Sequence, residues 1–318
     1  MLNLVLVGLL WTWPFVQSRQ RSHFVVIPNE VKNLSQSDAR EKRDSSARGV
    51  PRNDGGMCYL ELCLSSAAPP FVFEPQSAPK PCGSVTVAAA ADLSFAMNEI
   101  AANFEKATGC TVRVSTGSSG NFLSQIENGA PFDVFFSADI EYPKKLEAEG
   151  LAAPGSTYLY AVGKIVLWVR NDSRLDISQG LAALRDPSIQ KVAIANPQHA
   201  PYGRAAEDAL RKSGMYDAVR DRFVLGENIS QAAEFVESGN ADVGILALSL
   251  VLSPGLKEKG RFWPIPENLY APIQQGVVLV RASQNPQGAR AFLDYIKSPA
   301  TAALLERYGF VLPAKGKP

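Results

Sequence analysis

Residues 85–138 read VTVAAAADLSFAMNEIAANFEKATGCTVRVSTGSSGNFLSQIENGAPFDVFFSA, and the alternation inside this stretch decides the fold. VTVAAAA (85–91) is a short apolar strand. Asp92 or Ser94 then stands where a helix takes its N-terminal cap, and Met97, Ile100, Ala101 and Phe104 recur at helical spacing before Gly109. TVRVST (111–116) is a second strand, and GSSGN opens a helix carrying Phe122, Leu123 and Ile126. FDVFFSA (132–138) is apolar enough to be a strand covered on both faces. Such regular alternation predicts an α/β protein with mainly parallel sheets flanked by helices.

The same pattern returns further on. VAIANP, GRAAEDALRKSG, FVLG, ISQAAEFVESG and DVGILAL read as strand, helix, strand, helix, strand. Two longer β-rich runs bracket this second unit, YLYAVGKIVLWVR (158–170) and YAPIQQGVVLVRAS (270–283). We read them as an outward and a return crossing, which makes two lobes joined by a two-stranded hinge. Residues 84–163 with 274–318, ending in the helices ARAFLDYIKS and ATAALLERYG, form one lobe, and 164–273 form the other. The cleft between such lobes is the natural place for a ligand.

Composition narrows what that ligand can be. The chain has 318 residues, 46% of them hydrophobic, which suits two globular units with real cores. Its net charge is +1, so nucleic acid is not an expected partner. With only two histidines, His23 and His199, a histidine-rich metal centre is excluded. Residues 1–83 read differently from the rest. Residues 2–16 are an apolar run of signal-peptide length without a basic start, and 19–56 are polar and aperiodic, as a disordered segment would be. Met57 offers a second start before the Pro-rich FVFEPQSAPKP. An export signal with a spacer and a start assigned too far upstream both fit, and either way the working protein begins near Ser84.

Four loops follow strands and open helices: AADLS (90–94), TGSSGN (116–121), NPQHAPYGR (196–204) and GENIS (226–230). In open α/β sheets ligands sit at the carboxyl ends of the strands, and here each loop offers backbone N–H groups at the positive end of a helix dipole. TGSSGN adds two hydroxyls on a glycine-flanked turn, although Ser118 and Ser119 taken singly read as ordinary caps. It lacks the Lys-Ser/Thr of a nucleotide phosphate loop. Arg204 reads as a solvated side chain and His199 as a loop residue without a catalytic partner. The combination suits a small oxyanion held by neutral donors.

Taken together, AAADL, TGSSGN, QIENGAPFDVFFSAD, NPQHAPYGRAA, GENISQA and the terminal ERYGF resemble the periplasmic molybdate-binding proteins of bacterial ABC importers, over nearly all of residues 84–314. The resemblance implies a two-lobed type II periplasmic-binding fold that captures molybdate, or tungstate, and delivers it to a membrane permease. It implies a monomer without a cofactor, the metal being met only through its oxygens. Carried over by position, the contacts fall near Asp92, at Ser119, at Tyr202 and at Ile229, the last two mainly through backbone N–H groups. Two departures stand out. Family members carry a hydroxyl where Asp92 stands, and an ionised carboxylate would repel a dianion, so Asp92 is expected to cap the helix while Ser94 faces the anion. Some members carry a Tyr where Ala247 stands, and Tyr202 is expected to supply that hydroxyl. The rival reading is an enzyme or sensor module acting on another small oxyanion or on a phosphorylated or sulfated substrate in the same cleft; for the enzyme no nucleophile–base pair is evident.

Cys82 and Cys110 precede the first two strands. Were those strands parallel neighbours, both cysteines would lie at one edge, within reach of a structural disulfide. The plainer reading, preferred on sequence alone, leaves Cys82 in a mobile linker and Cys110 as a small buried residue.

Overall fold

The computed structural model describes residues 82–313, so the expectations for residues 1–81 and 314–318 lie outside the described residues. Ten strands alternate with helices. The strands are β1 (Ser84–Ala90), β2 (Thr111–Gly117), β3 (Val134–Ser137), β4 (Tyr158–Gly163), β5 (Ile165–Arg170), β6 (Val192–Ala195), β7 (Phe223–Gly226), β8 (Val243–Ala247), β9 (Gly260–Pro264) and β10 (Ile273–Leu279). The helices are α1 (Ser94–Thr108), α2 (Ser119–Glu127), α3 (Glu141–Ala148), α4 (Pro201–Lys212), α5 (Tyr216–Val219), α6 (Ile229–Glu237), α7 (Leu248–Val251), α8 (Pro286–Ile296) and α9 (Pro299–Arg307).

Two five-stranded sheets result, ordered β2-β1-β3-β10-β4 and β7-β6-β8-β5-β9. They share one plan. In the first, β1, β2 and β3 pair in parallel and β10 runs antiparallel to both β3 and β4. In the second, β6, β7 and β8 are parallel and β5 runs antiparallel to β8 and β9. The reversed strand of each sheet is the one that has just arrived from the other sheet. This is the two-lobed α/β architecture.

The long run 158–170 is not one strand. It breaks at Lys164, with β4 in the first sheet and β5 in the second. The return strand β10 pairs with β4 from Ile273 opposite Gly163, so the two crossings lie side by side. β9 was missed on sequence because it is five residues long and bounded by Gly260 and Pro264.

Burial explains why these segments hold. In the first lobe Val87 and Phe136 pack with Phe104 of α1 and Phe292 of α8, whose rings meet edge to face at 5.0 Å. In the second, Trp168, Ile194 and Leu246 are fully buried beneath α4 and α6. Burying a side chain of this size stabilises by about 1.5–3 kcal/mol. Gly109 ends α1 at φ 74°, a left-handed conformation that costs a residue with a Cβ.

The cysteine expectation is corrected. β1 and β2 are parallel neighbours with Ser84 opposite Thr111, and Cys82 and Cys110 form a disulfide with Cα atoms 5.1 Å apart. Residue 82 is therefore tied to the sheet, at the edge remote from the strand ends that carry the four loops.

Candidate anion-binding site

The four loops converge at the carboxyl ends of β1, β2, β6 and β7, on a small cavity whose walls come from both lobes. Its lining includes Asp92, Ser118, Ser119, Tyr202 and Ile229. Among the described residues, no Lys or Arg lines it. A wider groove runs alongside, but Asp139, Glu141, Glu207 and Asp208 face Arg204 there, and that balance of charge is wrong for an anion.

Each wall is built by local chemistry. Ser119 begins α2, and its buried hydroxyl oxygen accepts the Ala138 N–H at 2.9 Å. The hydroxyl proton is then free to be donated. At α6 the Asn228 side chain takes the Ser230 and Gln231 N–H groups, while the N–H of Ile229, first in the helix, has no intrahelical acceptor. Pro201 starts α4 and Tyr202 follows it, both against the cavity. Ser94, the first residue of α1, is half-buried and lies outside the lining.

The expectation for Asp92 is corrected. It sits inside a 3₁₀ turn, Ala91–Leu93, and caps no helix. Its side chain is 2% exposed and turns into a polar cluster. Oδ2 accepts from Gln275 Nε2 at 2.5 Å and from the Tyr202 hydroxyl at 2.9 Å. Tyr160 in turn donates to Gln275 Oε1 at 2.6 Å. Oδ1 is buried without a partner among the described residues. Burial, which disfavours the charged form, pushes the carboxyl up to about 6, against the opposing hydrogen bonds from Gln275 and Tyr202. Burial and the neighbouring carboxylate raise Tyr202 well above its ordinary range, and burial does the same to Tyr160.

The Tyr202 hydroxyl thus serves Asp92, while Ala247 is fully buried in β8. Sequence reasoning missed Gln275 and Tyr160. The available signal was the Gln274–Gln275 pair inside the otherwise apolar IQQGVVL of β10.

The lobes are in contact around the cavity. The Ser118 hydroxyl donates to the His199 carbonyl at 2.5 Å, and the Gly120 N–H reaches the same oxygen at 2.9 Å. Ser230 donates to the Ala91 carbonyl at 3.0 Å and Ser249 to the Asp92 carbonyl at 2.8 Å. Arg204 is not free in solvent. It pairs with Asp139 at 2.6 Å and donates to the Tyr142 hydroxyl at 2.9 Å, across the lobes. Nor is His199 isolated, since its Nδ1 lies 3.0 Å from Ser118 Oγ.

Comparison with known proteins agrees with this architecture. Residues 85–311 match the family model of the bacterial extracellular solute-binding protein. The molybdate-binding protein of Rhodobacter capsulatus is 43% identical over 233 residues, which is 73% of this chain and 90% of the relative. That of Escherichia coli K12 is 33% identical over 238 residues, 72% of this chain and 90% of the relative. The solved Azotobacter vinelandii periplasmic molybdate-binding protein superposes with a TM-score of 0.69 at 38% identity, over 72% of this chain and 99% of that one. The resemblance read from the loops extends along the same stretch, and the chain belongs to the bacterial extracellular solute-binding protein family.

Proposed function

We propose that this protein is a periplasmic carrier that closes on molybdate, or tungstate, and hands it as a monomer to the permease of an ABC importer. The closing bodies are residues 84–163 with 274–318 and residues 164–273. The observation that carries the reading is Ser119. Its oxygen is engaged by the Ala138 N–H, which leaves its proton for a cavity that both lobes line and that, among the described residues, no Lys or Arg lines. Hydrogen bonds to a charged acceptor are about twice as strong as neutral ones, and a few suffice to hold a dianion without a formal countercharge. Asp92, Ser119, Tyr202 and Ile229 are the proposed contacts, with Ser94 behind them at the start of α1. Each meets oxygen, never the metal, and no cofactor is needed.

A carrier fits better than a catalyst. At the Ser118–His199 pair a nucleophile and a base approach, yet the Ser118 proton is directed at the His199 carbonyl. The ring nitrogen facing Ser118 Oγ is then a donor, and a donor cannot activate a serine.

Calorimetry and thermal melting with a panel of oxyanions test the reading. Micromolar molybdate and tungstate should bind and raise the melting temperature by mass action, whereas sulfate and phosphate should not. Equal stabilisation by sulfate would overturn the proposed ligand.

A further inference from the structure

Resting on that reading, we propose that Asp92 takes part in ligand capture as a neutral carboxylic acid, so that anion binding brings up to one proton from solvent onto Asp92 Oδ1. The geometry assigns the two oxygens different tasks. Oδ2 is occupied by two donors, Gln275 Nε2 and the Tyr202 hydroxyl, whose oxygen in turn accepts a second N–H from Gln275. Oδ1 is buried, has no partner among the described residues, and belongs to a residue lining the cavity. As a carboxylate, Oδ1 would present a lone pair to an incoming oxyanion. As an acid, it presents an O–H donor at the same place, equivalent to the hydroxyl of Ser119 in the neighbouring loop.

The surroundings make the carboxyl the group that responds. From α4 it faces Tyr202, and from β4, through Gln275 of β10, Tyr160, both held neutral by burial. On α4 Arg204 is engaged with Asp139. On α6 Ser230 binds the Ala91 carbonyl, Glu237 pairs with Lys259, and Glu234 is exposed. On α7 Ser249 binds the Asp92 carbonyl. On α1 Glu99 is turned to Arg307, and Glu105 accepts the Val112 N–H. Lys106 of α1 and Arg113 of β2 make no bond to the carboxylate, and His199 faces Ser118. Among the described residues, Gln275 and Tyr202 are the side chains bonded to it.

The sign follows from linkage. In the ligand-free protein the acid form is held to about pH 6, and a dianion beside it favours that form further. Above the free value, protein must take up a proton to bind. Affinity then falls with rising pH, approaching tenfold per unit, until the value in the complex is passed. The ligand also gains a means of selection, since an acid proton rewards an acceptor that reaches Oδ1 and penalises one too small to do so.

Titration calorimetry of the full chain with sodium molybdate, run at pH 6, 7 and 8 in buffers of different ionisation enthalpy, counts the protons. Uptake of about half a proton at pH 6, rising toward one at pH 8, is expected with a matching rise in Kd. Asp92→Asn places a permanent N–H donor where the acid proton would be, and should bind with no proton uptake and a flat pH profile. Zero uptake by the unaltered protein, or a variant whose affinity keeps the same pH slope, would overturn the proposal. Absence of any molybdate heat at every pH would instead overturn the ligand assignment on which it rests.

Discussion

The carbonyl oxygen of His199 is held from across the cleft by two donors of one short segment, the Ser118 hydroxyl at 2.5 Å and the Gly120 N–H at 2.9 Å. That oxygen belongs to the loop before α4, and both donors belong to the turn that opens α2. One atom therefore registers the closure of the two walls that carry Tyr202 and Ser119.

Gly120→Ala tests this contact. A Cβ at residue 120 would lie 2.6 Å from the His199 oxygen, a backbone atom that cannot rotate away. Each lobe should fold as before, because the clash exists only between them. The expected outcome is a weaker complex and loss of the ligand-induced compaction in small-angle scattering. A variant that compacts normally would show that closure does not need this contact.

Ser119→Ala should weaken molybdate binding by roughly ten- to a hundredfold, the effect of losing about 1.5–3 kcal/mol from a hydrogen bond to a charged group. It also leaves the Ala138 N–H without its acceptor, so the ligand-free melting temperature should fall modestly. Calorimetry and melting of the same sample separate the two effects. An unchanged dissociation constant would reduce Ser119 to a role in the fold.

Asp92 makes a further prediction in the absence of ligand. Its carboxyl is raised from 3.8 to about 6 on folding, so the folded state binds more protons than the unfolded one between those values. Stability contributed by the protonated form is complete below about pH 4, declines as pH rises to 6, and stays lost above it. Ionisation costs on the order of 3 kcal/mol at neutral pH. Asp92→Asn should accordingly melt higher than the parent protein at pH 7 to 8, with the gap closing near pH 4. Equal melting curves at pH 7.5 would contradict the burial argument.

The Cys82–Cys110 bond closes a loop of 28 residues. On the chain-entropy estimate it contributes about 3–4 kcal/mol. Because it lies at the edge of the first sheet remote from the cavity, reduction should lower the melting temperature by several degrees and leave the molybdate affinity unchanged. Non-reducing peptide mapping that finds two free thiols in the exported protein would contradict the pairing.

The sequence disclosed the repeating strand–helix grammar and the four loops, since both rest on local signals: apolar runs, helical periodicity, Gly and Ser at helix starts. It did not disclose the fate of Asp92. A lone Asp before a helix is most often a cap, and only the return of β10 from the other lobe, bringing Gln275, gives its side chain a better partner. The same holds for Arg204 and His199, which read as surface residues because Asp139 and Ser118 lie 65 and 81 residues away. The break at Lys164 was invisible because β4 and β5 are both apolar and nearly continuous.

The reversed strands also set an order of assembly. All five strands of the second sheet come from one uninterrupted segment, Ile165 to Pro264. The first sheet has β10 lodged between β3 and β4 and stays split in two until residues 273–279 have been made. During synthesis the later half of the chain can therefore settle while the earlier half waits, unfinished, for its own C-terminal portion. A polypeptide that must be threaded across a membrane before it folds is helped by such a delay, because the part that enters first is the part unable to close early.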